Sequence, residues 1–339
     1  MIYFRFQTLC FLGILVIALG ACKQQFNVEK WKQLPNFKGR IWSLTYSPSG
    51  QMLAVSSADT MLTLYDKKWN ILWQTNDLIK EVSPIAFSPD EQFLAIPKYQ
   101  SETDIALIDL KNYHVYHILS GHTDWVTCVD FSSDGELIAS GSDDQSVRVW
   151  KKIGNSFIHH QSLLDNGASI SNLTFSNDST FLAVCGKNII QIYQKNYDLF
   201  VPYQTITVED RFVNGLAFSP DGQLLGIGTY KGHILIFHNN GKTFILHQRL
   251  TDHQKMVHSI VFSKDGRYMI SSSWDTSIRF WKQTNMQFSQ IYKVNGHEKQ
   301  VYEIALHPNE TYLASGSEDK TVVIWKLKLV DTLPLSKIE

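Results

Sequence analysis

Short apolar runs broken by polar turns alternate along nearly the whole chain, and this spacing predicts strands rather than helices. The stretch from Trp125 to Trp150 shows the pattern. An apolar run from Val126 to Phe131 meets a turn at Ser133-Asp134-Gly135. A second run, Leu137 to Ser140, meets a turn at Asp143-Asp144, and a third covers Val147 to Trp150. A fourth run follows each such unit, as at Phe157 to Leu163 and Phe244 to Leu250. Asp-Gly pairs supply the positive φ that a tight hairpin needs, and they recur as Asp221-Gly222 and Asp265-Gly266. No stretch keeps a convincing helical period, so the predicted content is nearly all β.

The pattern is periodic on a larger scale. The aromatic before the first turn recurs at Tyr46, Phe87, Phe131, Phe175, Phe218 and Phe262, with Leu306 in the seventh place, at steps of 41 to 44 residues. The large residue closing the third run recurs at Tyr65, Ile108, Trp150, Tyr193, Phe237, Trp281 and Trp325, at steps of 42 to 44. Two landmarks keeping one period across seven units predict seven four-stranded blades in a ring.

These units resemble the WD repeat family, in which a Gly-His near the start of a unit is paired with a Trp-Asp near its end. Gly121-His122 and Gly296-His297 match the first element, and Asp252-His253 is a variant of it. The Trp is present at Trp150, Trp281 and Trp325, followed by Lys151, Lys282 and Lys326 in place of Asp. The resemblance implies an all-β, seven-bladed WD40-type propeller. It also implies structural tetrads of His, Ser, Asp and Trp at His122, Ser140, Asp144 and Trp150, at His253, Ser271, Asp275 and Trp281, and at His297, Ser315, Asp319 and Trp325. The other four units lack one or more members, with Lys187 and Lys231 at the Asp position. In this family the last blade borrows its outer strand from the N-terminal end, which makes Phe26 to Leu34 the expected partner of Val322 to Trp325 and removes the open edges of the ring.

The first residues depart from the repeat. Leu9 to Ala21 is almost wholly apolar, too short for a bilayer span and of the right length for the core of a secretory signal. Leu19-Gly20-Ala21-Cys22 resembles the lipobox of bacterial lipoproteins, which implies cleavage before Cys22 and lipidation of its thiol. The expected organisation is a signal peptide at 1–21, a lipidated tether at 22–25, the propeller at 26–328 and a tail at 329–339. If sorting resembles that of enterobacterial lipoproteins, Lys23 in place of the retention residue Asp implies the outer membrane, with the ring facing the periplasm. A plain secretory signal or an uncleaved anchor are the alternatives.

Composition narrows the partners. A net charge of -1, with both signs well mixed, offers no field for a nucleic acid backbone. Beyond Cys22 only Cys128 and Cys185 remain, both at positions where other units place small residues, so buried thiols are expected rather than a disulfide framework. The twelve histidines lack a short metal-ligand spacing, and no nucleophile elbow, Walker loop or dinucleotide fingerprint is present. No titratable cluster is expected to recur along the channel. The chain is therefore expected to be no enzyme, to need no cofactor or metal, and to act as a monomeric, lipid-anchored scaffold for a protein or peptide partner. A propeller enzyme or small-molecule binder with its site at the channel mouth is the alternative. The expected docking surface combines the first-strand starts and the second turns: Arg40, Glu81, Trp125, Ser169, Phe212, Met256 and Gln300 with Asp143, Tyr230, Trp274 and Glu318. Phe212, Tyr230, Met256 and Trp274 adjoin in units five and six, where exposed aromatics would suit an interface.

Overall fold

The computed structural model describes residues 24–34, 37–76, 85–97, 101–164 and 167–331. Its 28 strands form seven antiparallel sheets of four, and no helix occurs among the described residues. The third blade runs Val126–Phe131, Leu137–Ser142, Ser146–Ile153 and Ser156–Leu164, each run of the alternating pattern becoming one strand. The innermost strands of successive blades surround a central channel with a cavity of about 480 Å3.

Each first hairpin is locked by its own side chains. Ser132 Oγ accepts the N–H of Leu137 at 2.9 Å and donates to Asp134 at 2.5 Å, and Asp134 in turn accepts the N–H of Glu136. The same Ser-x-Asp lock recurs at Ser88, Ser176, Ser219 and Ser263 with Asp90, Asp178, Asp221 and Asp265. A hydroxyl that serves both backbone and carboxylate replaces the water those turn groups would otherwise need.

Apolar clusters straddle neighbouring blades rather than filling single ones. One joins blades 3 and 4 through Cys128, Val149, Ile170, Leu173 and Tyr193, and another joins blades 7 and 1 through Ala314, Ile324, Leu34, Ile41 and Leu53. Cys128 and Cys185 are both buried and both free, as the small-residue positions predict. All seven closing residues from Tyr65 to Trp325 are buried.

The outer strands carry a stitch that the repeat pattern did not reveal. Gln161 clasps the backbone of Phe200 on the next blade, donating to its carbonyl and accepting its N–H, each at 2.9 Å. Gln204 holds Phe244 in the same way, and Gln248 holds Phe288. Between blades 1 and 2 a stack of Trp73 on Tyr113, with centroids 6.0 Å apart, fills the equivalent place.

Ring closure follows the expectation and extends it. Gln24–Leu34 pairs antiparallel with Val322–Asp331, Gln24 opposite Asp331 and Leu34 opposite Val322. The strand begins two residues before Phe26, so Gln24 and Gln25 belong to the sheet and not to the tether. Its partner continues to Asp331, three residues into the stretch expected as a tail, because each added pair satisfies backbone groups at the sheet edge. Antiparallel neighbours alternate in direction, so the first and last hairpin turns of every blade share one face with Gln24, while first-strand starts and second turns share the other.

Candidate functional site

The three expected tetrads are assembled by the register of the second and third strands, which sets Ser140 two residues from the partner of Trp150 and beneath the His122 loop. Trp150 donates its indole N–H to Ser140 Oγ at 3.0 Å, Ser140 faces His122 Nε2 at 2.9 Å, and His122 Nδ1 faces Asp144 at 2.9 Å. The chain of donors therefore runs Trp to Ser to His to Asp. His253, Ser271, Asp275 and Trp281 repeat it at 2.9 Å throughout, and His297, Ser315, Asp319 and Trp325 at 2.7 to 2.9 Å. Burial lowers the proton affinity of His122 and His253, holding them neutral. Desolvation opposes ionisation of Asp144, Asp275 and Asp319, yet the hydrogen bonds each accepts win and hold all three carboxyls below the usual range. Ser140, Ser271 and Ser315 are fully buried, each with an indole over its oxygen. A nucleophile needs an approach path, so these sets are structural despite their likeness to a hydrolytic triad.

Blade 5 solves the same problem in reverse. In blade 3, Asp144 of the second turn accepts the N–H of Thr123 at 2.9 Å. In blade 5 that turn carries Lys231, and Asp210 of the opposite loop accepts the Lys231 N–H at 2.6 Å. The carboxylate has changed loops, which a search for Asp at one fixed position misses.

The expected docking residues fall in pairs. A backbone hydrogen bond of 2.9 Å joins Asp143 to Trp125, Tyr230 to Phe212, Trp274 to Met256 and Glu318 to Gln300. Ser169 donates to the Asp143 carboxylate, and Trp125 donates its indole N–H to Glu102 at 2.6 Å. Glu81 and Cys22 lie outside the described residues. Met256 corrects the expectation of an exposed side chain: although its backbone makes the same bond as that of Phe212, its flexible apolar side chain folds inward and is 8% exposed. Phe212, at 45%, is exposed.

Aromatic contact continues well beyond blades 5 and 6. Phe212 meets Tyr230 at 6.3 Å, Tyr230 meets Trp274 at 6.3 Å, Trp274 meets Tyr302 at 6.0 Å, and Tyr302 meets Trp42 at 4.6 Å. His258 lies between Trp274 and Tyr302, and burial pushes its pKa down to about 4. The guanidinium of Arg211 sits 4.2 Å over Tyr230 and that of Arg40 sits 4.5 Å over Trp42, one at each end. The result is an arc of rings across blades 5, 6, 7 and 1. Tyr302 and Trp42 belong to it because closure brings the first blade beside the last.

The channel is lined by Asp130, His258 and Glu303, each contributed by a single blade. Burial pushes the Glu303 carboxyl up to about 7, against hydrogen bonds from Ser259 and the Ile304 N–H. Burial likewise pushes Asp130 up to about 6, against the N–H groups of Phe175 and Phe131 at 3.0 and 2.9 Å. Among the described residues, no group of three or more His, Cys, Asp or Glu could hold a metal ion.

Comparison with known proteins agrees with this architecture. The family model "IFT122 first beta-propeller" matches residues 82–290, and the model "WD domain, G-beta repeat" matches residues 31–66 and 288–326. An uncharacterised WD repeat-containing protein of Synechocystis is 31% identical over 44% of this chain and 42% of its own length. The small ribosomal subunit protein RACK1 of Candida albicans is 28% identical over 43% of this chain and 47% of its own. The apoptotic protease-activating factor 1 of Danio rerio is 27% identical over 46% of this chain and 12% of its own. The chain thus spans less than half the length of these curated relatives. With one family model covering more than half the chain and the repeat model matching both ends of the ring, the chain belongs to the WD-repeat β-propeller family, whose members generally act as scaffolds for protein contacts.

Proposed function

We propose that this propeller is a scaffold that docks a protein or peptide partner on the aromatic arc. The carrying observation is the run of ring contacts from Phe212 to Trp42 on the face of the first-strand starts. Phe212 is exposed, and Tyr230, Trp274 and Trp42 are half-buried around the buried Tyr302, so the arc presents part of its ring surface to solvent, and Trp, Tyr and Arg dominate binding energy at interfaces. Selecting a displayed random-peptide library on the intact protein tests the reading. Peptides selected on the parent should lose at least about tenfold in affinity for the Phe212→Ala, Trp274→Ala double variant, the scale of one hot spot. Equal binding to both proteins would remove the arc from the mechanism.

The proposal includes a place for the scaffold: a bacterial envelope, held by lipid on Cys22 and facing the periplasm, as a monomer. The apolar stretch Leu9 to Ala21 and the sequence Leu19-Gly20-Ala21-Cys22 support it. Mass spectrometry of the mature N-terminus tests it, the expected species beginning at Cys22 with an attached diacylglyceryl group. An N-terminus at Met1, or at any other residue, would refute the anchor without touching the arc.

A further inference from the structure

The face that carries Gln24 places large side chains where the backbone least tolerates them. The last hairpins of blades 1 to 6 all turn through the left-handed region, and blades 3 and 5 use Gly154 and Gly241 there, at φ of 61° and 84°. Blades 1, 2, 4 and 6 instead hold Trp69, Tyr113, Tyr197 and Met286, at φ between 54° and 70°. A bulky side chain strains such a backbone, so something must offset the strain. Trp69 and Tyr113 each pack against an apolar cluster, and Tyr113 also stacks on Trp73. Tyr197 and Met286 are 95% and 42% exposed, and Ile153, beside Gly154, is 58% exposed, so packing within the ring offsets little at these three tips.

The three tips stand beyond the first turns of their blades. The N–H groups of Lys152, Lys195 and Gln283 donate to the first-turn carbonyls of Glu136, Thr180 and Arg267, each at 2.8 Å. Pairing of the third and fourth strands continues past that level, to Ile153 with Ser156, Asn196 with Leu199 and Thr284 with Gln287. The first turns, with their carboxylates, are therefore set back, and Asp198 beside Tyr197 is paired with Lys151 at 2.9 Å. Lys152, Lys195 and Lys282 each lie within four residues of a tip. Apolar and aromatic side chains beside lysines suit a bilayer surface, where rings settle among the headgroups and ammonium groups meet phosphates. Gln24 begins its strand on this same face, two residues after Cys22, a reach of about 7 Å.

We propose that the Gln24 face lies on a phospholipid bilayer, with Ile153, Tyr197 and Met286 entering the headgroup region at three points around the ring and the aromatic arc turned away from the membrane. The choice of a lipid occupant rests on the Cys22 anchor, so the test leaves that anchor out. The chain of residues 23–339, which keeps all 28 strands, is sedimented with vesicles of phosphatidylethanolamine and phosphatidylglycerol. It should bind, and the Ile153→Thr, Tyr197→Asn, Met286→Asn triple variant should bind at least about tenfold more weakly, having lost three apolar insertions. Asn accepts the left-handed backbone, so the triple variant should melt at or above the parent temperature. The Phe212→Ala, Trp274→Ala variant, changed on the opposite face, should bind vesicles as the parent does. The proposal is overturned by a parent that does not sediment with the vesicles, by a triple variant that sediments equally, by an equal loss in the Phe212→Ala, Trp274→Ala variant, or by a triple variant that melts lower, which would assign the tips to the fold. Mass spectrometry of the mature N-terminus decides the anchor separately, and vesicle binding by the unlipidated chain stands whichever way that falls.

Discussion

Residue by residue, the polar groups of this ring act through what they forbid. Ser140→Ala removes one oxygen but strands two buried neighbours, the Trp150 indole N–H and His122 Nε2, so it should destabilise by roughly 2–3 kcal/mol in denaturant unfolding. Thr at the same position should recover part of that loss. The pH dependence has two opposing parts. Asp144, Asp275 and Asp319 are held below the usual carboxylate range, so their contribution is complete above a pH of about 4 and is lost as pH falls through their lower folded values. His122 and His253 are also shifted down, so their contribution begins to fade once pH drops below about 6.5. Glu303 has the opposite sign. Its pKa rises to about 7, so its charge destabilises the fold as pH climbs through that value. Glu303→Gln should therefore stabilise the ring at pH 8 by about 1–2 kcal/mol, discounted for water in the channel, and by nothing at pH 4. The tetrads were legible in the sequence because their members sit at fixed offsets within one repeat. The Asp210 substitute was not, because it satisfies the same backbone need from the facing loop.

Single strands gain their meaning from neighbours one repeat away. Gln204 makes both its bonds to Phe244, 40 residues later, and Gln161 and Gln248 do the same across their own seams. Gln204→Ala should cost about 1–2 kcal/mol, being two net hydrogen bonds, while Gln204→Glu should cost more by setting a carboxylate against the Phe244 carbonyl. Urea unfolding of both variants distinguishes clasp from filler. A glutamine on an outer strand looks in sequence like any solvated polar residue, and only the lateral spacing of two blades gives it a partner. Strand extent was hidden for a related reason. Gln24 and Gln25 carry no apolar signal, yet pairing with Asp331 and Val330 holds them in the sheet. The arc shows the same limit, since Trp42 and Tyr302 read as ordinary strand residues until closure sets them 4.6 Å apart.

At the scale of the whole molecule, one sheet joins the two ends of the ring. A chain lacking everything before Leu34 should lose a large part of its stability, because the final blade is left with three strands and an exposed edge. Adding the peptide of residues 24–34 in trans should restore part of the lost melting temperature, which calorimetry reads directly. Seven blades, their order and their closure followed from the period of the sequence, since a repeat that buries its face only against its neighbour leaves few ways to end except by returning to its start. The faces were less legible, because sidedness emerges only when the strand directions are known. The pairing of Gln24 with Asp331 has a consequence in time as well as space. The last blade cannot be completed while its two halves lie at opposite ends of an unfinished chain, so synthesis alone cannot finish the ring. Its final step is the meeting of distant segments, slow by the measure of sequence separation. A circular permutant opened at the turn between blades 3 and 4, with the old ends linked, would keep every contact of the ring and make that step local; stopped-flow refolding should show it to be the faster of the two.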